Sequence, residues 1–314
     1  MVKKNKLPRS KLARYSGTSP EKFVSLLPSS VQQAVRFSAS RNKQQTSWYH
    51  WCGNVLPRHL EAIKALEAVY HVLIEKPIAF TEKEALSIVN VSQKTHKNAF
   101  AVLQVRHNKM VKIIQLAIKN NLLGKIRSIS LVQRWQRPLN FFNSWRGSLE
   151  MAGGILYEMS IHYLDIIQWI FGMPEILSAS GFNLKYKQLP YHDTVFSILR
   201  FPCGASGSLE VTVATEPFNL ECSINVIGEK GAIKISGPIL NKIEYIYFTN
   251  IDKKTELFLN FVKEVENSQS AETDKPSPYH IEVYRDIFKE KGLKAEEAIN
   301  SIKLIESINR KIRQ

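Results

Sequence analysis

The chain has 314 residues, 44% hydrophobic and 23% charged, enough apolar material to bury the cores of about two domains. No apolar run approaches the roughly 18 residues of a membrane span, and no apolar stretch of a secretory signal follows the basic residues 1–14, so a cytoplasmic protein without membrane contact is expected. The formal net charge of +15 invites an anionic partner, but residues 1–50 hold ten Lys and Arg against one acid, Glu21, so +9 of it lies in the first sixth of the chain.

That distribution describes a basic leader on an ordinary body. Nucleic-acid or other anion binding through the leader is therefore only a minor alternative, because the leader lacks the interleaved aromatics of a binding platform. The leader, residues 1–50, has no sustained apolar period and is expected to be poorly ordered, with at most a turn or two of helix at Phe23–Leu27 and Val31–Phe37. Cys52, Cys203 and Cys222 have no metal-like spacing and are odd in number, so reduced, mostly buried thiols and no metal site are expected.

From residue 59 a clear α/β rhythm begins. His59–Ala68 reads as a helix with Leu60, Ile63 and Leu66 on its apolar stripe. Val69–Ile74 reads as a buried strand stopped by Glu75-Lys76-Pro77. Thr81-Glu-Lys-Glu84 spells a capping box for a helix running to about Thr95. A short strand over Phe100–Val105 and a helix over His107–Asn121 follow, the alternation expected of a parallel sheet.

After Lys125 the period changes to two. Ile126–Trp135, Glu175–Leu184, Val195–Arg200, Ser206–Ala214, Glu221–Ile227 and Ala232–Ile235 read as strands, interrupted by one strong helix, Ile155–Phe171. Helices are expected again at Leu257–Asn267, His280–Lys289 and Ala295–Ile312. The fold class is thus α/β followed by α+β, a parallel-sheet domain and then a domain with an open, mostly antiparallel sheet. The expected divisions are a leader at 1–50, a first domain at 51–106 and a second at 107–314.

Two clusters carry chemistry. Lys76 sits at the C-terminal end of a buried strand, where ligands of open α/β sheets bind; a solvated lysine before a turn has the same spacing. Gly153-Gly154 opens a helix bearing Glu158, His162 and Asp165, whose spacings of four and three share one helical face. A histidine between two acids suits general-base work, and a surface ion pair beside a packed histidine is the alternative.

In order along the chain, HVLIEKP (71–77), Gln104-x-Arg106, SWRGSLEMAGG (144–154), IHYLDIIQWIFG (161–172) and GEKGAI (228–233) together resemble the Gfo/Idh/MocA family of oxidoreductases. VQRWQRP (132–138), SWRG and PYHIEVYRDI (278–287) look most like members acting on nucleotide-activated amino sugars. The resemblance implies hydride transfer between a sugar carbon and NAD or NADP, in a homo-oligomer joined through the second domain's sheet. Residues 51–106 would be the remainder of the dinucleotide-binding domain, and 107–314 the substrate and oligomerisation domain.

Carried over by position, Lys76 would hydrogen-bond the reacting hydroxyl and His162 would take its proton. Asp165 would hold the helix face or bind substrate. Asn54, Glu75, Lys76, Pro77 and Gln104 would lie on the cofactor side. Arg106, Trp135, Arg137, Trp145, Arg146, Glu158 and His280 would line the sugar or nucleotide-sugar side, with arginine suited to phosphate and tryptophan to a flat ring.

The sequence departs from the family pattern in four respects. Glu158 stands where many members have Asp. Val69 replaces the usual glycine before the EKP strand. No G-x-G-x-x-G occurs in residues 1–58, where the family cradles pyrophosphate. Thr46–Asn54, where an apolar strand and a Thr-Pro-Asn-like turn would stand, is polar and aromatic. A coding sequence that has lost or shifted its beginning would explain this, and a homologue without redox activity that still binds sugar or oligomerises is the alternative function.

Overall fold

The computed structural model describes residues 58–269, 279–289 and 291–313, together with the backbone of three earlier strands. Backbone contacts divide the chain into two units, Met1–Val102 with His280–Ile299, and Leu103–Tyr279 with Asn300–Gln314. The sequence reading expects one boundary near residue 106, whereas the chain returns to the first unit. Lys294 bridges Phe100, and Ala101 donates its amide to the Leu293 carbonyl at 2.8 Å, so a late segment closes an early strand.

The first unit holds a five-stranded sheet in the order β1-β2-β3-β4-β5, with β1 Ala13–Ser16, β2 Val35–Arg41, β3 Gln44–Trp51, β4 His71–Ile74 and β5 Ala99–Ala101. β2 and β3 run antiparallel and the other neighbours parallel. Strand β2 takes Val35–Phe37 from the helical turn expected at Val31–Phe37, while residues 31–34 and Phe23–Leu27 lie outside the described residues. The polar, aromatic segment before Asn54 is a strand as well, with Trp48 opposite His71. Aromatic and β-branched residues fit a pleated surface even where hydropathy is low.

Helix α1, Arg58–Glu67, buries Ala62, Ala65 and Leu66 rather than the expected Leu60–Ile63–Leu66 stripe, and Leu60 is exposed. Two alanines let the helix lie close to its neighbours. It ends in a Schellman motif: Tyr70 donates to the Ala65 carbonyl at 3.1 Å and Val69 to that of Leu66 at 2.9 Å, with Val69 at φ 67°. A β-branched residue there costs about 1–2 kcal/mol. Helix α2, Glu82–Thr95, starts with the expected capping box, Glu84 N to Thr81 Oγ1 at 3.2 Å and Thr81 N to Glu84 Oε2 at 3.1 Å.

Strand β5 is shorter than the expected Phe100–Val105, because Gln104–His107 winds into a 3₁₀ turn that leads into α3, Lys109–Lys119. Asn108 caps α3, its Oδ1 accepting from Met110 N at 2.8 Å.

The second unit is built on a seven-stranded sheet of β6 Ile126–Arg134, β7 Glu175–Phe182, β8 Thr194–Arg200, β9 Ser206–Thr212, β10 Glu221–Gly228, β11 Gly231–Ser236 and β12 Lys242–Phe248. Its order is β12-β11-β10-β6-β9-β8-β7, and only β6 and β9 are parallel neighbours. One face is core, with Ile129, Leu131, Leu209, Val211, Ile224 and Val226 buried. Phe182, Phe196, Ile198, Ile227 and Tyr247 belong to the opposite face and are exposed. Strand β12 escapes the sequence reading. The expected helix Ile155–Phe171 divides into a π-helical turn, Leu156–Ser160, and α5, Ile161–Phe171, after a short α4, Leu149–Ala152.

Cys222 is buried, as expected, but Cys203 is exposed in the turn between β8 and β9; Cys52 lies outside the described residues. Among the described residues no helix is long and apolar enough to cross a membrane and no His, Cys, Asp and Glu cluster could hold a metal.

Candidate active site

In the first unit the Glu75-Lys76-Pro77 turn leaves β4 with a cis Lys76–Pro77 bond. Arg58, 4% exposed at the start of α1, fastens it from below: its Nη1 donates to the carbonyls of Glu75 at 3.0 Å, Lys76 at 2.5 Å and Pro77 at 2.9 Å. Sequence reasoning missed Arg58, since a lone arginine at a helix start gives no sign that it reaches 17 to 19 residues ahead. Lys76 is half-buried. The Glu75 carboxylate lies 3.8 Å from His280 Nε2, so His280 meets a cofactor-side candidate within the same unit.

The fit to a dinucleotide is poor within the described part of this unit. Its one glycine is Gly292, where a Cβ would stand 2.7 Å from Ile287 and 3.0 Å from Phe100, so that position serves packing. Among the described residues no glycine turn opens α2, and pyrophosphate binding relies on such a turn. Asn54 lies outside the described residues.

In the second unit the Gln104 Oε1 is buried and makes no hydrogen bond among the described residues. Two residues along, Arg106 forms a bidentate pair with Asp165, Nε to Oδ2 at 2.7 Å and Nη2 to Oδ1 at 2.8 Å, and its guanidinium lies 4.9 Å from the Trp169 ring centre. Asp165 also accepts from Gln168 Nε2 at 3.0 Å and Ser301 Oγ at 2.7 Å. Four donated bonds, three of them to Oδ1, and complete burial commit this carboxylate to its protein neighbours. Arg106 and Asp165 are a buried structural pair, and of the two expectations for Asp165 the geometry suits the holding of helix α5.

The π-helical turn breaks the regular spacing that would align Glu158, His162 and Asp165. Glu158 reaches instead toward Arg146, with Nε to Oε1 at 3.1 Å. His162, on the first turn of α5, is 9% exposed.

Around Glu158 and Arg146 stands a group of half-buried rings and cations. Arg146 lies 4.4 Å from the Trp145 ring centre and 4.9 Å from that of Phe141. Arg137 lies 5.4 Å from the same Phe141 ring and 4.8 Å from that of Trp135. Trp135 meets Tyr163 edge-on at 5.8 Å and donates its indole N–H to the Pro238 carbonyl at 2.9 Å. The turn carrying Trp145 and Arg146 needs Gly147, since a Cβ there would stand 2.1 Å from the Phe142 carbonyl oxygen.

Burial lowers the Arg137 pKa from its ordinary value and nearby Arg146 adds to that, while Glu158 opposes both. Two guanidiniums with one carboxylate between them leave an excess positive charge facing aromatic walls. Such a surface can bind an anion carried on a ring-bearing ligand. The structure thus brings Trp135, Arg137, Trp145, Arg146 and Glu158 together and assigns Arg106 to another place. Sequence reasoning missed Phe141, Tyr163 and the 183–193 loop beside them.

Residues 111–234 match the family model of the GFO/IDH/MocA C-terminal domain. The chain is 31% identical over 179 residues to 2,7-anhydro-N-acetylneuraminate hydratase of Escherichia coli, covering 55% of this chain and 47% of the hydratase. It is 23% identical over 252 residues to levoglucosan dehydrogenase of Pseudarthrobacter phenanthrenivorans, covering 71% of this chain and 61% of that enzyme. The fold superposes on the WlbA dehydrogenase of Chromobacterium violaceum, solved with NADH and UDP-GlcNAcA. The TM-score is 0.75 at 26% identity, over 84% of this chain and 74% of that one. Residues 111–234 thus carry a GFO/IDH/MocA C-terminal domain, and the fold is the one seen in the WlbA dehydrogenase. It spans about half to two thirds of the length of the curated relatives it matches.

Proposed function

We propose that the chain is a sugar oxidoreductase by lineage, its substrate a sugar or nucleotide sugar held by Trp135, Arg137, Trp145 and Arg146. The paired arginines on Phe141 carry this reading, because a neutral sugar alone would not need two guanidiniums on one wall. By resemblance, His162 is proposed as the acceptor of a substrate hydroxyl proton and Lys76 as a hydrogen-bond donor. Glu158 is proposed to hold Arg146 and Asp165 to hold α5. The lineage proposes a nicotinamide dinucleotide as cofactor, as in the relatives solved with NADH or NAD+. The relatives include a hydratase as well as dehydrogenases.

A second reading, a homologue that binds sugar nucleotide without redox activity, is favoured by the missing glycine turn and by Arg58 occupying three carbonyls behind Lys76. Titration with NADH, NADPH and UDP-N-acetylglucosamine, followed by tryptophan fluorescence, separates the two. Saturable dinucleotide binding with turnover supports the first. Sugar-nucleotide binding with no dinucleotide saturation at millimolar concentration leaves the second. Binding of neither ligand would overturn both.

Self-association is proposed through the exposed sheet face bearing Phe196, Ile198 and Tyr247, where Ser180 pairs with Phe196 and Ser208 with Ile198. Light scattering of the wild type and Phe196→Asp tests it; a monomeric wild type removes the proposal.

A further inference from the structure

The segment between β7 and β8, residues 183–193, contains no regular element, yet it is tied at both ends. Asn183 Nδ2 donates to the carbonyls of Tyr186 at 3.0 Å, Leu189 at 3.2 Å and Tyr191 at 3.0 Å. Asp193, fully buried, accepts from the amides of Leu184 at 3.0 Å, Lys185 at 2.8 Å and Tyr186 at 2.8 Å, and from Thr194 Oγ1 at 2.9 Å. A loop with seven internal bonds from two side chains and their neighbour is a built support.

What it supports is specific. Its two tyrosine hydroxyls each donate to a backbone carbonyl, Tyr186 to that of Arg137 and Tyr191 to that of Arg146, the latter at 2.5 Å. These are the two arginines that share the Phe141 ring, and they belong to separate turns nine residues apart. The Tyr191 ring also lies 3.5 Å from the position of a Cβ on Gly154, which has φ 86°. One loop therefore touches both arginine-bearing turns and the turn that opens the Glu158–His162 segment.

We propose that the 183–193 loop is a positioning element that sets the spacing of Arg137 and Arg146 through Tyr186 and Tyr191, and so tunes affinity for the anionic part of the ligand. The proposal rests on the reading that these arginines face substrate. Neither tyrosine needs to touch ligand: each acts by fixing the backbone from which a guanidinium extends. Tyr186 and Tyr191 are positioning residues, and their removal should affect charge recognition more than recognition of a ring.

The test uses the full chain and two probes, uridine diphosphate and uncharged uridine, titrated by tryptophan fluorescence, since Trp135 and Trp145 border the arginines. Arg137→Ala and Arg146→Ala should each weaken uridine diphosphate binding while leaving uridine unchanged. Tyr186→Phe/Tyr191→Phe, which deletes only two hydroxyls, should weaken uridine diphosphate about 5–10-fold, again with uridine unchanged. If the double variant does not fold, Tyr191→Phe alone, with Asn183 and Asp193 intact, makes the same comparison. Arginine variants that lose the diphosphate beside tyrosine variants that keep it overturn this inference alone. Equal loss of both probes in the tyrosine variants, the mark of a general structural defect, overturns it as well. Arginine variants that bind the diphosphate normally overturn the reading of the site together with the inference.

Discussion

The segment from residue 156 to 171 contributes two carboxylates, and each meets one arginine, but the two pairs are built for different work. Arg106 and Asp165 have side chains 9% and 1% exposed, whereas those of Arg146 and Glu158 are 35% and 13% exposed. The first pair is bidentate and saturated by Gln168 and Ser301. The second has one described bond and leaves its guanidinium against two rings. Equal chemistry at the level of residue type becomes a buried structural clamp in one place and a pair open to solvent in the other. A fully buried ion pair held by several protein donors cannot exchange a partner for a ligand, while a half-exposed pair can.

The largest effect should come from breaking the buried pair. Arg106→Ala leaves the Asp165 charge without its main partner and should destabilise the protein by about 3–5 kcal/mol, read as a lower midpoint in urea. An Arg106→Ala protein as stable as the wild type would erase the distinction drawn between the pairs. Glu158→Gln should be the mirror image, costing under about 1 kcal/mol as expected for exposed pairs. It removes the acid that competes with ligand for Arg146, so uridine diphosphate should bind the variant at least as tightly as the wild type.

The loop supporting Arg137 and Arg146 makes a prediction in pH. Burial alone would raise the Asp193 carboxyl, but bonds from the Tyr186, Leu184 and Lys185 amides and from Thr194 outweigh it and hold it below its ordinary value. A depressed folded-state pKa contributes stability above the unfolded value of about 3.9, and that stability is lost as pH falls through the folded value. Asp193→Asn should therefore lower the melting temperature near neutral pH, with the gap to wild type closing below about pH 4. A gap that stays constant down to about pH 2 would mean that the carboxylate's charge contributes nothing. The smallest effect belongs to Val69→Gly, which relieves a left-handed β-branched residue that is 60% exposed. Relief of strain minus the added freedom of the unfolded chain should leave a net gain of about 0.5–1 kcal/mol.

Much of the architecture is legible in local pattern. The capping box at Thr81–Glu84, the strand ended by Glu75-Lys76-Pro77 and the alternation along β6 and β8 to β11 all read correctly, because each depends on neighbours a few residues apart. Strand β3 is harder, since TSWYHW carries its strand preference in aromatic shape rather than in hydropathy. Within the site, Trp135, Arg137, Trp145, Arg146 and Glu158 are recognisable by type and order. The division of labour among the arginines is not: Asp165 finds Arg106 59 residues away and Ser301 136 residues away.

By itself the sequence determines the succession of elements, the family resemblance and a roster of residues able to bind charge or move a proton. Tertiary structure decides which of those groups are already committed to one another. Helix period and strand alternation are short-range consequences of backbone geometry, and they can be read in a window of residues. Partner choice depends on burial and on contacts between distant segments, as when a π-helical turn sends Glu158 toward Arg146 and two tyrosines of one loop reach the carbonyls of two arginines elsewhere in the chain.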